Sequence, residues 1–189
     1  MSDKFSFKPL TTETWKAFEK LFGPRGACAG CWCMTWRLNR SDFDTGKGQG
    51  NKNAIRKLVE KAEPIGVLAF HRDEAIGWCA VAPREKYIRL QKSRALKPVD
   101  DQAVWSISCF YVAKSFRRQG LNVKLIKEAM KFAAENGAGI IEAYPIEPKE
   151  KNYPDVFAWT GFVSPFISAG FEEVERHIPT RPILRYNVD

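Results

Sequence analysis

Between Val112 and Ile126 the chain reads Val-Ala-Lys-Ser-Phe-Arg-Arg-Gln-Gly-Leu-Asn-Val-Lys-Leu-Ile, and this run constrains the fold more than any other. The residues leading into it, Ala103 to Val112, are rich in β-branched and aromatic side chains, as a strand requires. From Leu121 to Glu135 apolar residues recur at helical spacing until Asn136-Gly137 closes the run. A strand therefore ends, a basic loop turns, and a helix starts behind Gly120. The first amides of such a helix lack internal acceptors, and its dipole adds partial positive charge there. With Arg117 and Arg118 alongside, the turn suits a pyrophosphate. No Gly-Lys-Ser/Thr follows, so it is not a nucleotide P-loop, and the Gly-x-Gly-x-x-Gly dinucleotide turn is absent too. In isolation, Arg-Arg-Gln-Gly is more often an ordinary basic strand-to-helix connection.

The elements around this loop narrow the choice. Phe5 and Phe7 alternate with polar residues in a short strand stopped by Pro9, and Trp15, Phe18, Leu21 and Phe22 keep helical spacing. Ser41 to Asn53, rich in Gly, Lys and Asp, reads as a mobile loop, and Asn53 to Glu63 as a second helix. Val67–Phe70 and Ala75–Val81 form a hairpin, and Arg84 to Leu96 is basic and partly helical. Gly139–Tyr144, Phe171–His177 and Ile183–Tyr186 are strands, with a short helix over Val163–Ser168. The order is β α α β β β α β α β β, an α/β chain with a mixed sheet flanked by helices.

At 189 residues the chain suits one domain, with an N-terminal part over residues 1–64 and a core over 65–189. No run of about 18 apolar residues is present, and the start lacks the apolar core of a secretory signal, so a cytoplasmic protein without membrane contact is expected. The net charge of +8 is spread along the chain and suits an anionic partner. No helix-turn-helix, RNP or zinc-finger signature points to nucleic acid. Five cysteines without secretory context argue against a disulfide framework.

The loop, its strand and the element order resemble the GNAT-type N-acetyltransferases, whose signature is Arg/Gln-x-x-Gly-x-Gly/Ala. Arg117, Gly120 and Asn122 stand at its places, Asn122 departing from the usual small residue. The resemblance runs from about Phe5 to Tyr186 and includes the blocks Glu142-Ala-Tyr-Pro145, Trp159-Thr-Gly161 and Phe166-Ile-Ser-Ala-Gly-Phe171. It implies an acyl-CoA N-acyltransferase fold in which the strand ending at Val112 splays from the Gly139–Tyr144 strand. Acetyl-CoA would lie there, its pantetheine arm against Phe110, Tyr111 and Val112. Its phosphates would rest on Arg117, Arg118, Gln119, Gly120, Leu121, Asn122 and Val123. The implied activity is acetyl transfer to an amine by direct attack in a ternary complex, with no metal. The acceptor is a small molecule or peptide, and a homodimer is left open. The alternatives are an acyl-CoA sensor with little turnover and a basic nucleic-acid module.

Acetyl transfer needs a neutral amine, a polarised thioester carbonyl and a proton for the leaving thiolate. The family's acidic residue on the strand before the loop is replaced here by Ser106, Ser108 and Cys109. Asp100, Asp101 and Glu142 are the nearby acids; Glu142 is the candidate base, set against a buried Glu paired with an Arg. The family's donor Tyr is Phe166 here, so Tyr111, with Tyr144 and Tyr153 as substitutes, is the candidate acid. Cys28-Ala-Gly-Cys31-Trp-Cys33 offers packing residues first, then redox or acceptor-site lining, then metal. By analogy with the family, Cys31, Trp32, Met34, Trp36 and Arg37 line the acceptor site.

Overall fold

The computed structural model describes residues 5–149, 153–154 and 157–188. Strand β1 is Phe5–Pro9, and helix α1, Trp15–Phe22, buries Trp15, Phe18 and Phe22 along one side. Two helices follow, α2 over Arg40–Thr45 and α3 over Gln49–Glu60. The expected loop from Ser41 to Asn53 is thus mostly helical. Two local devices explain this. The Asn39 side chain caps α2 by accepting from the Asp42 N–H. The fully buried Asn51 donates its Nδ2 to Gly30 O at 3.1 Å and Phe43 O at 3.3 Å, tying α3 to the cysteine-rich stretch.

Strands β2, Gly66–His71, and β3, Glu74–Pro83, form the expected hairpin, and the short α4, Ile88–Gln91, follows. Then come β4, Trp105–Val112, α5, Leu121–Glu135, and β5, Ile140–Ala143. Helix α6, Val163–Ser168, and strands β6, Glu172–Ile178, and β7, Arg181–Asn187, complete the order. The seven strands lie in one sheet as β1-β2-β3-β4-β5-β7-β6, antiparallel except for the parallel pair β4–β5. Strand alternation separates two cores. Val67, Ala69, Ile76 and Val112 meet Leu125, Ile126 and Ala129 of α5 on one face. Leu68, Phe70, Trp78 and Ala80 meet Phe18, Phe22, Ile55 and Val59 of α1 and α3 on the other. No described helix is long and apolar enough to cross a membrane.

The parallel pair is short for a readable reason. Ala80 faces Cys109 and Val81 faces Ile107, so Ser108 is one residue too many, a β-bulge in β4. Pairing with β5 stops there, running only from Trp105↔Ile141 to Ile107↔Ala143. On the β5 side, Pro145 has no N–H to continue a ladder. The segment Trp159–Gly161 enters the resulting gap: Phe110 N–H donates to Trp159 O at 2.6 Å, and Ile146 N–H to Gly161 O at 2.8 Å.

Glu142 sits at the closed end of the pair and is 1% exposed. Its carboxylate accepts from Arg185 at 2.7 and 3.2 Å and from the Tyr144 hydroxyl at 2.8 Å. Arg84 lies 3.6 Å away and also bonds the Tyr144 oxygen, while Arg185 reaches Asp100 with two bonds. Burial, more than the neighbouring Glu142 charge, pushes the Tyr144 phenol well up. Removing the carboxylate strands Arg84 in the interior. Glu142→Ala is expected to cost about 3–5 kcal/mol of stability in urea denaturation. The exposed-pair variant Arg40→Ala is expected to change it by no more than about 0.5 kcal/mol.

Candidate functional site

Past Val112 the chain makes one short 3-10 turn, Lys114–Phe116, and arrives at α5 through two left-handed residues, Arg118 at φ 59° and Gly120 at φ 74°. Arg118 lacks glycine's freedom, so its backbone is strained there. Successive amides around such residues form a concave nest for an anion. No side chain caps α5, and no acidic residue stands in its first turn. A Cβ built on Gly120 would meet nothing within 4 Å, so the space above it is open. The loop is braced from within. Arg117 Nε donates to Val112 O at 2.9 Å, and Gln119 Nε2 to Ser115 O at 2.8 Å.

This helix start forms one end of a cavity of about 950 Å³. Arg117, Arg118, Gly120, Leu121, Asn122 and Val123 all border it, whereas Gln119 does not; its side chain braces the turn instead. From there the cavity follows the freed edge of β4, past Val112, Tyr111, Phe110 and Cys109. Phe110 has its N–H committed to Trp159, so it contributes its ring, packed against Phe166, and not a free amide. Ala113 N–H donates to Ile76 O on the β3 side, so by strand alternation the Val112 N–H points into the gap. Tyr111 leans on Phe22 with ring centroids 5.4 Å apart.

The far end of the cavity is the stretch from Arg25 to Phe43, but not with the side chains expected from the sequence. Of the five anticipated residues only Cys31 borders it. Trp32 is buried and stacks on Phe22 at 5.6 Å, and Met34 is core. Trp36 packs on Trp159, itself on the wall, and Arg37 is buried over the Tyr87 ring at 4.7 Å. Arg25, Cys28, Thr35 and Phe43 stand there instead. The reason is backbone: Ala27, Ala29, Trp32 and Cys33 are all left-handed, so the chain coils through turns and no strand or helix period applies. Cys109 on β4 and the wall residues Phe157, Ala158, Trp159 and Phe162 were not expected to line the cavity, and Tyr153 was expected only as a substitute proton donor. For Cys109 the strand pattern held a signal, since it shares a face with Tyr111.

Glu142, the candidate base, does not border the cavity; strand register places it among Arg84, Tyr144 and Arg185. Phe166, at the position of the family's donor tyrosine, is fully buried. Tyr144 is likewise enclosed, leaving Tyr111 and Tyr153 as the phenols on the wall. All five cysteines are unpaired, and no cluster of three or more His, Cys, Asp or Glu among the described residues could hold a metal.

Residues 32–155 match the family described as the acetyltransferase (GNAT) family. The chain belongs to that family. Among solved structures, this GNAT chain is similar to a GNAT-family acetyltransferase from Listeria monocytogenes. There the TM-score is 0.57 at 12% identity, over 97% of this chain and 95% of that one. It is also similar to PaiA N-acetyltransferase from Thermoplasma acidophilum in complex with coenzyme A, with TM-score 0.53, 13% identity and full coverage of both chains. A Brucella melitensis family member in complex with acetyl-CoA gives TM-score 0.51 at 11% identity, covering 98% and 88%. No curated relative matches. At such identities the likeness is one of fold.

Because Arg118 is strained and exposed, Arg118→Gly in this GNAT chain is expected to raise stability by roughly 0.5–1 kcal/mol in urea denaturation. The same change removes a charge beside the nest and is expected to weaken anion binding there.

Proposed function

We propose that this chain transfers the acetyl group of acetyl-CoA to the amine of a small molecule or peptide, by direct attack within a ternary complex. The observation that carries this is the continuity of the cavity. An uncapped, basic helix start lies at one end, an unpaired strand edge in the middle, and a pocket of different chemistry at the far end. The amides of Leu121, Asn122 and Val123, with the Arg118 charge, would hold the diphosphate, and the open space over Gly120 fits it. The edge of β4 would take the pantetheine arm, with the Val112 N–H polarising the thioester carbonyl. Tyr111 is the proton donor we assign to the leaving thiolate. The complexes of the Thermoplasma and Brucella proteins with coenzyme A and acetyl-CoA support the choice of ligand.

A second reading, an acyl-CoA sensor with little turnover, is favoured by Phe166 and by the engagement of Glu142 in ion pairs. Thiol release from acetyl-CoA across a panel of primary amines separates the two. Amine-dependent release supports the enzyme, and acetyl-CoA binding without release on any amine supports the sensor.

In calorimetric titration, Gly120→Asp is expected to weaken acetyl-CoA binding at least about tenfold, or 1.4 kcal/mol, because a carboxylate then occupies the anion's place. Unchanged affinity in a folded variant would put the diphosphate elsewhere. Tyr111→Phe is expected to lower kcat about a hundredfold.

A further inference from the structure

The run Cys28-Ala-Gly-Cys31 closes on itself. Cys31 N–H donates to Cys28 O at 3.0 Å, and the two residues between are left-handed, Ala29 at φ 48° and Gly30 at φ 73°. This is a tight turn of the I′ kind, whose end residues have Cα atoms less than about 7 Å apart. A disulfide needs Cα atoms in that range. One sulfur converges on the same place. Gly26 O accepts the Cys28 N–H at 3.0 Å and the Cys31 thiol at 3.5 Å, so the Cys31 sulfur and the Cys28 backbone meet around one atom.

The turn is anchored from behind. Gly30 O accepts from the Gly48 N–H at 3.0 Å and from Asn51 Nδ2 at 3.1 Å, and a Cβ built on Gly30 would collide with the Gly48 backbone. A Cβ on Gly26 would likewise collide with the Trp32 ring. What stays open is the cavity side, which Cys28 and Cys31 both border. The other cysteines are placed differently: Cys33 and Cys79 are buried and do not border the cavity, and Cys109 stands apart on β4. The two thiols of the turn are also unequal. Cys28 is exposed, whereas burial pushes the half-buried Cys31 thiol up. Attack on an outside disulfide therefore falls to Cys28, and resolution to Cys31.

We propose that Cys28 and Cys31 form a thiol–disulfide exchange site, which low-molecular-weight disulfides oxidise and which thereby alters the far end of the cavity. The Cys28 thiolate attacks one sulfur of a disulfide RSSR. That S–S bond breaks, a bond forms between Cys28 and SR, and one RSH leaves with the proton that Cys28 gave up. Cys31 then attacks the Cys28 sulfur, and the second RSH leaves with the Cys31 proton. Two S–H bonds of the protein become one S–S bond, two electrons pass to RSSR, and an added dithiol reverses the exchange. Oxidation takes the Cys31 proton away from Gly26 O and removes both S–H donors from the wall. The start of α5 lies at the other end and keeps its contacts. The effect expected on the acceptor rests on the amine-acetylation reading above.

The test uses the whole protein and glutathione disulfide. After oxidation, acid quench and alkylation under denaturing conditions, two of the five thiols are expected to be protected, with no glutathione retained on Cys28 or Cys31. Dithiothreitol is expected to restore both. Cys28→Ser is expected to abolish that protection, and Cys31→Ser to leave glutathione trapped on Cys28. Should Cys31→Ser not give a cooperative melt, the exposed Cys28 still decides through its serine variant. With the panel amine that turns over fastest, oxidation is expected to lower kcat/KM for the amine about tenfold, as a small displacement of the acceptor would. The acetyl-CoA Kd is expected to stay the same, and Cys28→Ser to keep its kinetics through the same treatment. Glutathione retained on Cys28 of the unmodified protein, protection that survives in Cys28→Ser, or equal amine kinetics before and after oxidation would overturn the site. Failure of the reduced protein to bind acetyl-CoA, or to acetylate any panel amine, would instead defeat the acetyl-transfer reading, with the alkylation count still judging the pair on its own.

Discussion

The extra residue in β4 at Ser108 is the constraint on which the rest of the site depends. Before it, β4 and β5 pair as ordinary parallel strands; beyond it, main-chain groups of β4 face open space. Unpaired strand edges inside a protein are costly unless something fills them. Part of the gap is filled by the chain itself, through Trp159 and Gly161. The part nearest Val112 is left to the cavity. The same strand soon delivers the uncapped start of α5, so the open helix start and the free edge lie on one surface by connectivity alone.

The two ends of the cavity are held by different means. The α5 side rests on an apolar core, with Leu125, Ala129 and Ala133 against the sheet. Beside it, Arg84, Glu142, Tyr144 and Arg185 fix β5, β7 and the turn after β3 to one another by buried ionic contacts, and the Tyr144 hydroxyl reaches Ser106 of β4 at 2.8 Å. Such networks contribute little net stability but tolerate few geometries. The opposite side is a coil of left-handed residues between α1 and α2, stacked on Phe22, accepting a hydrogen bond from Trp78 at Cys33, and tied down by Asn51. Under the proposed acetyl transfer, the rigid wall would recognise the donor's fixed group and the strained wall would discriminate among acceptors.

Much of this was legible in the residues. The seven strands follow from alternation and turn residues, and the helix start behind Gly120 follows from a run of basic residues broken by glycine. Three things were not. Asn39 and Asp42 form a cap, yet the glycines and lysines after them outweigh it in a reading by composition, so α2 looks like loop. The turns from Ala27 to Cys33 have no period, and nothing in the order of Cys31, Trp32 and Met34 tells which side chain faces the cavity. Glu142 is the instructive case. A carboxylate on a strand beside the gap invites a catalytic reading, and only the register, with Arg185 directly opposite, shows that it is held in ion pairs away from the cavity.

The account's central claim is tested most directly by a crystal structure grown with acetyl-CoA. The diphosphate is expected within hydrogen-bond distance of the Leu121, Asn122 and Val123 amides, with the thioester carbonyl at the Val112 N–H. A ligand bound elsewhere, with that helix start occupied by a side chain or by solvent, would contradict it.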